Sequence, residues 1–389
     1  MKRFPVAPRV FFPSLLLLIL SGGFLPAEPV EPLLLSFTGD LMAHSINYEM
    51  TDYDHIYQGL EGLLLRDDLT FGNVEFPMDP NRPMASFPSF NIHPRYVEAF
   101  IRAGLDVFSL ANNHTADLGT ESLKASVEAA RELAASADRP LYFSGAVTEP
   151  HPYRVREGSE DPPVPLFPVT LIEKKGWKIG FLALTQKSNV PPRQEGLLFV
   201  LDYQNRLLRQ EFLRELARQT TEYDLFILSY HGGVEYRFVP EPGKRAFFDE
   251  LLEAGVDIVW SHHPHVMQEM ELIKTKEGTK AILNSLGNFL SGQGRIIDEV
   301  LPEEEWSYTG DSAIVQLMVG KTEEGKATVR HLHPIAIANY ITPNREVLIY
   351  PLETLVTMPL PPPWDRFYRD RRRIMEGFFR NSLVIKEAP

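Results

Sequence analysis

Six apolar runs in this sequence each end in residues that can bind a metal ion or move a proton. LLLSFT is followed by Gly39-Asp40, LTFG by Asn73-Val74-Glu75, and DVFSLA by Asn112-Asn113-His114 and then Asp117. DLFILSY is followed by His231-Gly232-Gly233-Val234-Glu235, DIVWS by His262-His263-Pro264-His265, and KAILNSL by Gly287-Asn288. Five of the 11 histidines therefore stand just after an apolar run, beside acids and asparagines. A hydrophobic core needs none of these residues there. Imidazole and carboxylate donors suit Zn, Mn or Fe, and the absence of Cys removes softer ligands. The expectation is a divalent metal centre of one or two ions. Such a centre could acidify a bound water for attack on an electrophile.

The individual positions carry alternatives. Asp40 is either an anionic ligand or the N-cap of a helix over 41–49, since Asp caps well. Gly39 before it would allow a tight turn. Glu75 is a ligand or a surface acid. In an extended segment His263 and His265 point the same way, because side chains alternate with period two. His262 would then face the other side, supporting a ligand or touching substrate. His44 either replaces a ligand or is a half-exposed helix histidine. Arg95, Lys187, Arg237 and Arg295 lie near these loops and read as solvated surface cations. Phe71, Phe90, Phe108 and Phe289 read as core.

These residues must be carried by a scaffold that delivers strand ends to one edge. In α/β sheets ligands bind at the carboxyl ends of the strands. Strands are expected at 33–38, 69–72, 106–110, 169–172, 179–184, 225–230, 258–260 and 281–284. Helices are expected at 96–103, 122–135, 205–219 and 244–253. Lys174-Lys175-Gly176-Trp177 is a hairpin signal between two of the strands. The pattern over 313–331 is strand–turn–strand, so the sheet is expected to be mixed. Residues 149–165 and the acidic 295–311 read as irregular, the second as a loop or lid. The tail after Pro359 reads as a packed terminal helix or a linker carrying a helix.

Residues 1–27 have the grammar of a signal peptide: Lys2, Arg3 and Arg9, a short apolar run over 11–20, then small residues up to Ala27. The run is short of the ~20 residues that span a bilayer. The chain is thus expected to be exported, periplasmic or extracellular, or membrane-tethered if the segment is retained. Its formal net charge of −13 becomes −16 once three cations and no acid are removed, which argues against nucleic-acid binding. Without Cys, disulfides, iron–sulfur clusters and thiol catalysis are excluded. At 389 residues the chain can bury a large core.

FTGDLM, FGNVEFP, SLANNHTADLG, YHGGVEY, SHHPHVMQ and NSLGNF, in this order, resemble the CapA proteins of capsule and poly-γ-glutamate synthesis, which are similar to calcineurin-like metallophosphoesterases. The resemblance runs from about Leu33 to His333. It implies a four-layer α/β/β/α sandwich over 33–340, with 341–389 as a C-terminal extension. It implies metal-ligand positions at Asp40, Glu75, Asn113, His231, His263 and His265. It also implies catalytic positions at His114, beside the ligand Asn, and at Glu235 of the His-x-Gly-x-Glu block. Asn73, Asn112, Asp117, His262 and Asn288 are left to support the ligands or to touch substrate. Departures from the family pattern are Gly232, where an aromatic residue is usual, Ala43-His44-Ser45, where an Arg is usual, and Asp40-Leu41-Met42 in place of Asp-x-His. The implied role is synthesis, export or anchoring of an anionic surface polymer, with that polymer or a phosphoester as substrate and membrane-bound synthesis machinery as partner. Three readings are open: a metal-dependent hydrolase, a non-catalytic accessory protein, and a general exported phosphodiesterase.

Overall fold

The computed structural model describes residues 30–387 except 61, 152, 155–163, 166, 294–304 and 363. The expected signal segment, most of the 149–165 loop and residues 295–304 of the expected lid lie outside the described residues. In the remainder of that lid, Glu305–Gly310 form a 3-10 helix and Asp311 begins a strand.

In chain order the elements are β1 (Leu33–Leu41), α1 (Ser45–Tyr48), β2 (Leu69–Val74), α2 (Pro94–Ala103), β3 (Val107–Ser109), α3 (Thr120–Ser136) and β4 (Tyr142–Ser144). The two-residue strands β5 (Tyr153–Arg154) and β6 (Val164–Pro165) pair with each other. Then come β7 (Thr170–Lys174), β8 (Trp177–Thr185), α4 (Arg206–Gln219), β9 (Leu225–His231), α5 (Pro242–Glu253) and β10 (Ile258–His262). The chain continues with β11 (Met270–Lys274), β12 (Thr279–Leu283), β13 (Asn288–Leu290), β14 (Asp311–Lys321) and β15 (Ala327–Ile341). It closes with β16 (Val347–Pro351), α6 (Leu352–Leu355), α7 (Trp364–Ser382) and β17 (Leu383–Glu387).

Two mixed sheets form the body. The first runs β16-β15-β14-β1-β2-β3-β4, with β13 also on β1; the second runs β17-β11-β12-β10-β9-β8-β7. They face each other across an aromatic core. Phe37 stacks on Phe71 at 4.6 Å, and Trp260 of the second sheet meets both rings at 5.9 and 6.1 Å. Trp260 also donates its indole N–H to the Thr38 carbonyl at 2.9 Å, so the buried indole is satisfied and ties β10 to β1. On the outer side of the first sheet, Tyr96, Val97 and Phe100 of α2 meet Ala130 and Leu133 of α3. Phe212 and Leu216 of α4 and Phe247, Phe248 and Leu251 of α5 cover the second sheet. This is the expected four-layer α/β/β/α sandwich. The β7–β8 hairpin closes on Lys175 and Gly176 with φ of 48° and 77°, the left-handed pair that a twisted two-residue turn requires.

Register sets the site. Asp40 is level with Asn73 on one side and with Asn288 on the other, while His231 is level with His262. Asp40 is the penultimate residue of β1, and α1 begins only at Ser45 behind His44, so Asp40 caps no helix. Gly39 is needed for close approach rather than for a turn. A Cβ there would lie 2.1 Å from the Gly287 carbonyl oxygen, which accepts the Asp40 N–H at 2.9 Å. Residues after 341 are integral to both sheets: β16 pairs with β15, and β17 pairs in parallel with β11.

Candidate metal centre

Strands β1, β9 and β10, with the loops that follow β2, β3 and β10, bring the ligands to one place. Asp40, Glu75, His231, His262, His263 and His265 are all buried. One ligand atom each from Asp40, His231 and His262 lies within 4.8 Å of the others, and the same holds for Glu75, His263 and His265. The two groups interlock. His231 Nε2 is 3.5 Å from Glu75 Oε1 and 3.1 Å from His263 Nδ1, and His265 Nε2 is 3.7 Å from Glu75 Oε1. Asn113 adds its Oδ1 at 2.8 Å from His231 Nε2.

Supporting bonds orient this set. Asn73 Nδ2 donates to Asp40 Oδ1 at 2.8 Å and lies 3.3 Å from His231 Nδ1. Asn288 Oδ1 and Asp40 Oδ2 stand 2.9 and 3.2 Å from His265 Nδ1. Asn112 donates to the Val74 carbonyl at 2.7 Å, and its Oδ1 receives the His114 N–H and the Thr115 hydroxyl. These bonds hold the loop. Asp117 Oδ2 takes the His114 Nδ1 at 2.7 Å and the Phe90 N–H at 2.9 Å. This fixes the tautomer with the proton on Nδ1. Glu235 sits at the rim, its side chain 44% exposed, with Oε1 3.8 Å from His263 Nε2.

The His-His-Pro-His segment departs from expectation. His263 and His265 have φ of 99° and 57°, so the backbone coils through left-handed conformations and period-two alternation does not apply. His263 and His265 still converge, and His262 joins them from the end of β10 instead of facing away. Its Nε2 is 3.3 Å from Ser229 Oγ, and its ring meets Trp260 edge-on at 4.3 Å. His44 stands outside the cluster: its Nδ1 accepts the Gly292 N–H at 3.1 Å. Phe71, Phe90, Phe108 and Phe289 are core, as expected.

The electrostatics of this set suit a cation. Glu75 Oε1 and Oε2, Asn73 Oδ1 and His262 Nδ1 are buried without hydrogen-bond partners. Buried polar atoms are rarely left so, and each such atom calls for a reason. Burial, then the Asp40 and Glu235 charges, pushes the Glu75 carboxyl well above its usual range. Burial, then the neighbouring imidazoles, pushes His231 and His263 well below theirs. Burial brings His262 down to about 4. These imidazoles are therefore neutral at pH 7 and present lone pairs. Burial works against ionising Asp40 and His265, but their mutual bond wins, lowering Asp40 and raising His265. Two acids, four imidazoles and orphaned oxygens facing one another fit divalent metal.

The sandwich is of the calcineurin-like type. The family model described as "Bacterial capsule synthesis protein PGA_cap" matches residues 34–146 and 165–293, and the chain belongs to that family. It is similar to the "Capsule biosynthesis protein CapA" of Bacillus anthracis, 28% identical over 300 residues, which are 74% of this chain and 64% of the relative. The chain thus covers just under two thirds of that relative's length. It is also similar to the "PGA biosynthesis protein CapA" of Bacillus subtilis, 26% identical over 76% of this chain and 70% of the relative. A third relative, the "Probable polyglutamine synthesis accessory protein" of Mycobacterium tuberculosis, is 26% identical over 48% of this chain and 46% of its own.

Proposed function

We propose that this protein is an exported, metal-dependent hydrolase acting in the synthesis of an anionic surface polymer of the capsule or poly-γ-glutamate kind. The observation that carries the reading is the buried pair of carboxylates among four imidazoles, with the Glu75 oxygens unpartnered. Asp40, His231 and His262 would hold one divalent ion, Glu75, His263 and His265 a second, and Asn113 a neutral oxygen between them. When bound, such ions supply Lewis acidity, polarising a phosphoryl or acyl oxygen and acidifying water. Asn73 and Asn288 keep the Asp40 and His265 donors aimed. His114, with Nδ1–H held by Asp117, would present Nε2 to a leaving oxygen; in its doubly protonated form it would give up the Nε2 proton there and keep the Nδ1 proton on Asp117. Glu235 at the rim is placed to take a proton or to position substrate. The polymer role rests on the relatives' names, and export rests on the N-terminal segment. Among the described residues no helix is long and apolar enough to cross a membrane.

The test is hydrolysis of a phosphodiester and of a γ-glutamyl amide by Mn- or Zn-loaded protein. The reading expects turnover of one class, lost in Glu75→Gln and His114→Gln. The name of the mycobacterial relative favours a second reading, an accessory protein that binds metal and polymer without turnover. That reading gains if metal binds fully and neither class is cleaved.

A further inference from the structure

We infer that the C-terminal helix α7 aims the metal-facing imidazole of His265 through Asn288, with Arg371 as the positioning residue. The Asn288 amide nitrogen has two fixed acceptors: the Thr309 carbonyl at 3.0 Å and Gln293 Oε1 at 2.9 Å. Its Oδ1 must then face the opposite way, toward His265 Nδ1 at 2.9 Å. An oxygen there requires a proton on Nδ1, which leaves the Nε2 lone pair directed at the Glu75 and His263 group. The placement of Thr309 thus selects the tautomer and aim of a candidate ligand.

Arg371 brackets Thr309 from both sides. Its guanidinium lies 4.3 Å from the centre of the Tyr308 ring and donates from Nε to Asp311 Oδ1 at 3.1 Å. Arg371 and Asp311 are both buried, so this is an internal ion pair rather than a surface contact. Such a pair adds little net stability over apolar packing, so its worth here is positional. A second link from the same helix reaches the same strand. Tyr368 donates its hydroxyl to the Asn339 carbonyl at 3.5 Å, and Asn339 Nδ2 donates to the Asn288 carbonyl at 3.2 Å. Both links start on α7, beyond residue 293, where the family match ends.

The inference rests on the metal centre proposed above, and Mn(II) titration calorimetry of the full chain separates the two. Arg371→Lys keeps the charge beside Asp311 but loses the planar fork and ring stacking. It should weaken Mn(II) binding about 3- to 10-fold, and Asn288→Ala about 10- to 100-fold, the range for partners that orient metal ligands. Combined, the two should bind no more weakly than Asn288→Ala alone, because they act through one amide. Arg372→Met, on the exposed side of α7 and paired with Glu376 at 2.8 Å, should bind as the parent does. Unchanged affinity in Arg371→Lys, or losses that multiply in the double variant, would overturn the positioning role alone. If the parent takes up no Mn(II), the metal centre falls and the positioning role with it.

Discussion

Replacing Glu75 by Gln should move the stability of the metal-free and metal-loaded protein in opposite directions. In the free protein both Glu75 oxygens are buried without partners, close to the Asp40 carboxylate. Gln keeps the shape and is neutral without a bound proton. At pH 7 the folded parent must bind a proton at Glu75 that the unfolded chain has released, at about 1.36 kcal/mol for each unit by which the carboxyl is raised; Gln needs no proton, so the free variant should gain about 1–3 kcal/mol. For a folded chain of about 360 residues, an unfolding entropy of about 2.1 cal/mol/K per residue makes 1 kcal/mol worth about 1.3 °C. The expected rise is thus about 1.5–4 °C in the thermal midpoint. The sign with pH comes from the raised Glu75 carboxyl. The folded state keeps a proton that the unfolded chain loses above about pH 4.3, so the parent is progressively destabilised as pH rises from there. The advantage of the variant should vanish near pH 4 and grow toward neutrality. With metal present the order inverts. An ion at 100 times its dissociation constant stabilises by about 2.7 kcal/mol, and the variant, lacking a ligand charge, should lose most of that. Scanning calorimetry of both proteins with EDTA and with excess Mn(II), at pH 4.5 and 7, reads all four combinations. A free variant less stable than the parent at pH 7, together with an equal response to Mn(II), would show that Glu75 is neither a buried raised acid nor a metal ligand.

Other consequences are as specific. Metal uptake should release protons, because Glu75 and His265 are both raised in the free protein and bind metal only in their less protonated forms; affinity should rise from pH 6 to 8, and titration enthalpy should depend on the buffer's ionisation heat. His114→Gln should keep full metal content while lowering kcat about 10²- to 10⁴-fold on any substrate found, as measured by metal analysis beside initial rates. Lys244 is buried, donates to the Gly232 carbonyl at 3.1 Å, and is brought down to about 8 by burial. The unfolded chain holds that proton up to about pH 10.4, so between the two values stability rises with pH. Lys244→Met in metal-free protein should therefore have its greatest relative stability below pH 8 and lose about 3 kcal/mol of it by pH 10.5. Urea unfolding across that range would show a constant difference if the lysine were not a buried cation.

Much of this architecture was legible because apolar runs and polar strand ends coincide. A β strand with no exposed face reads as a continuous apolar run. Leu33–Thr38, Leu225–Tyr230 and Ile258–Trp260 are such runs, and the polar residues at their carboxyl ends, Asp40, His231 and His262, form the site. Departures came where backbone conformation overrode pattern. Treating His263-Pro264-His265 as extended put His262 on the wrong side, since two positive φ angles cannot be read from residue type in histidines. Gly39 signalled a special position, but only the opposing Gly287 shows it to be one of contact. The three-residue strands β4 and β13 carry too little periodicity to be seen. The last strand, β17, mixes Val384 and Ile385 with Lys386 and Glu387 at an edge, which resembles a tail. The link from Arg371 to His265 joins residues 106 positions apart with no shared motif, and only the folded chain reveals it.

The most direct test of the two-group centre is metal stoichiometry of purified protein reconstituted with Mn(II) or Zn(II), measured for the parent, His262→Ala and His263→Ala. The predicted result is about two equivalents in the parent and loss of tight binding of about one in each variant, since each removes a ligand from a different group. No tightly held metal in a folded parent, or full occupancy in both variants, would contradict it.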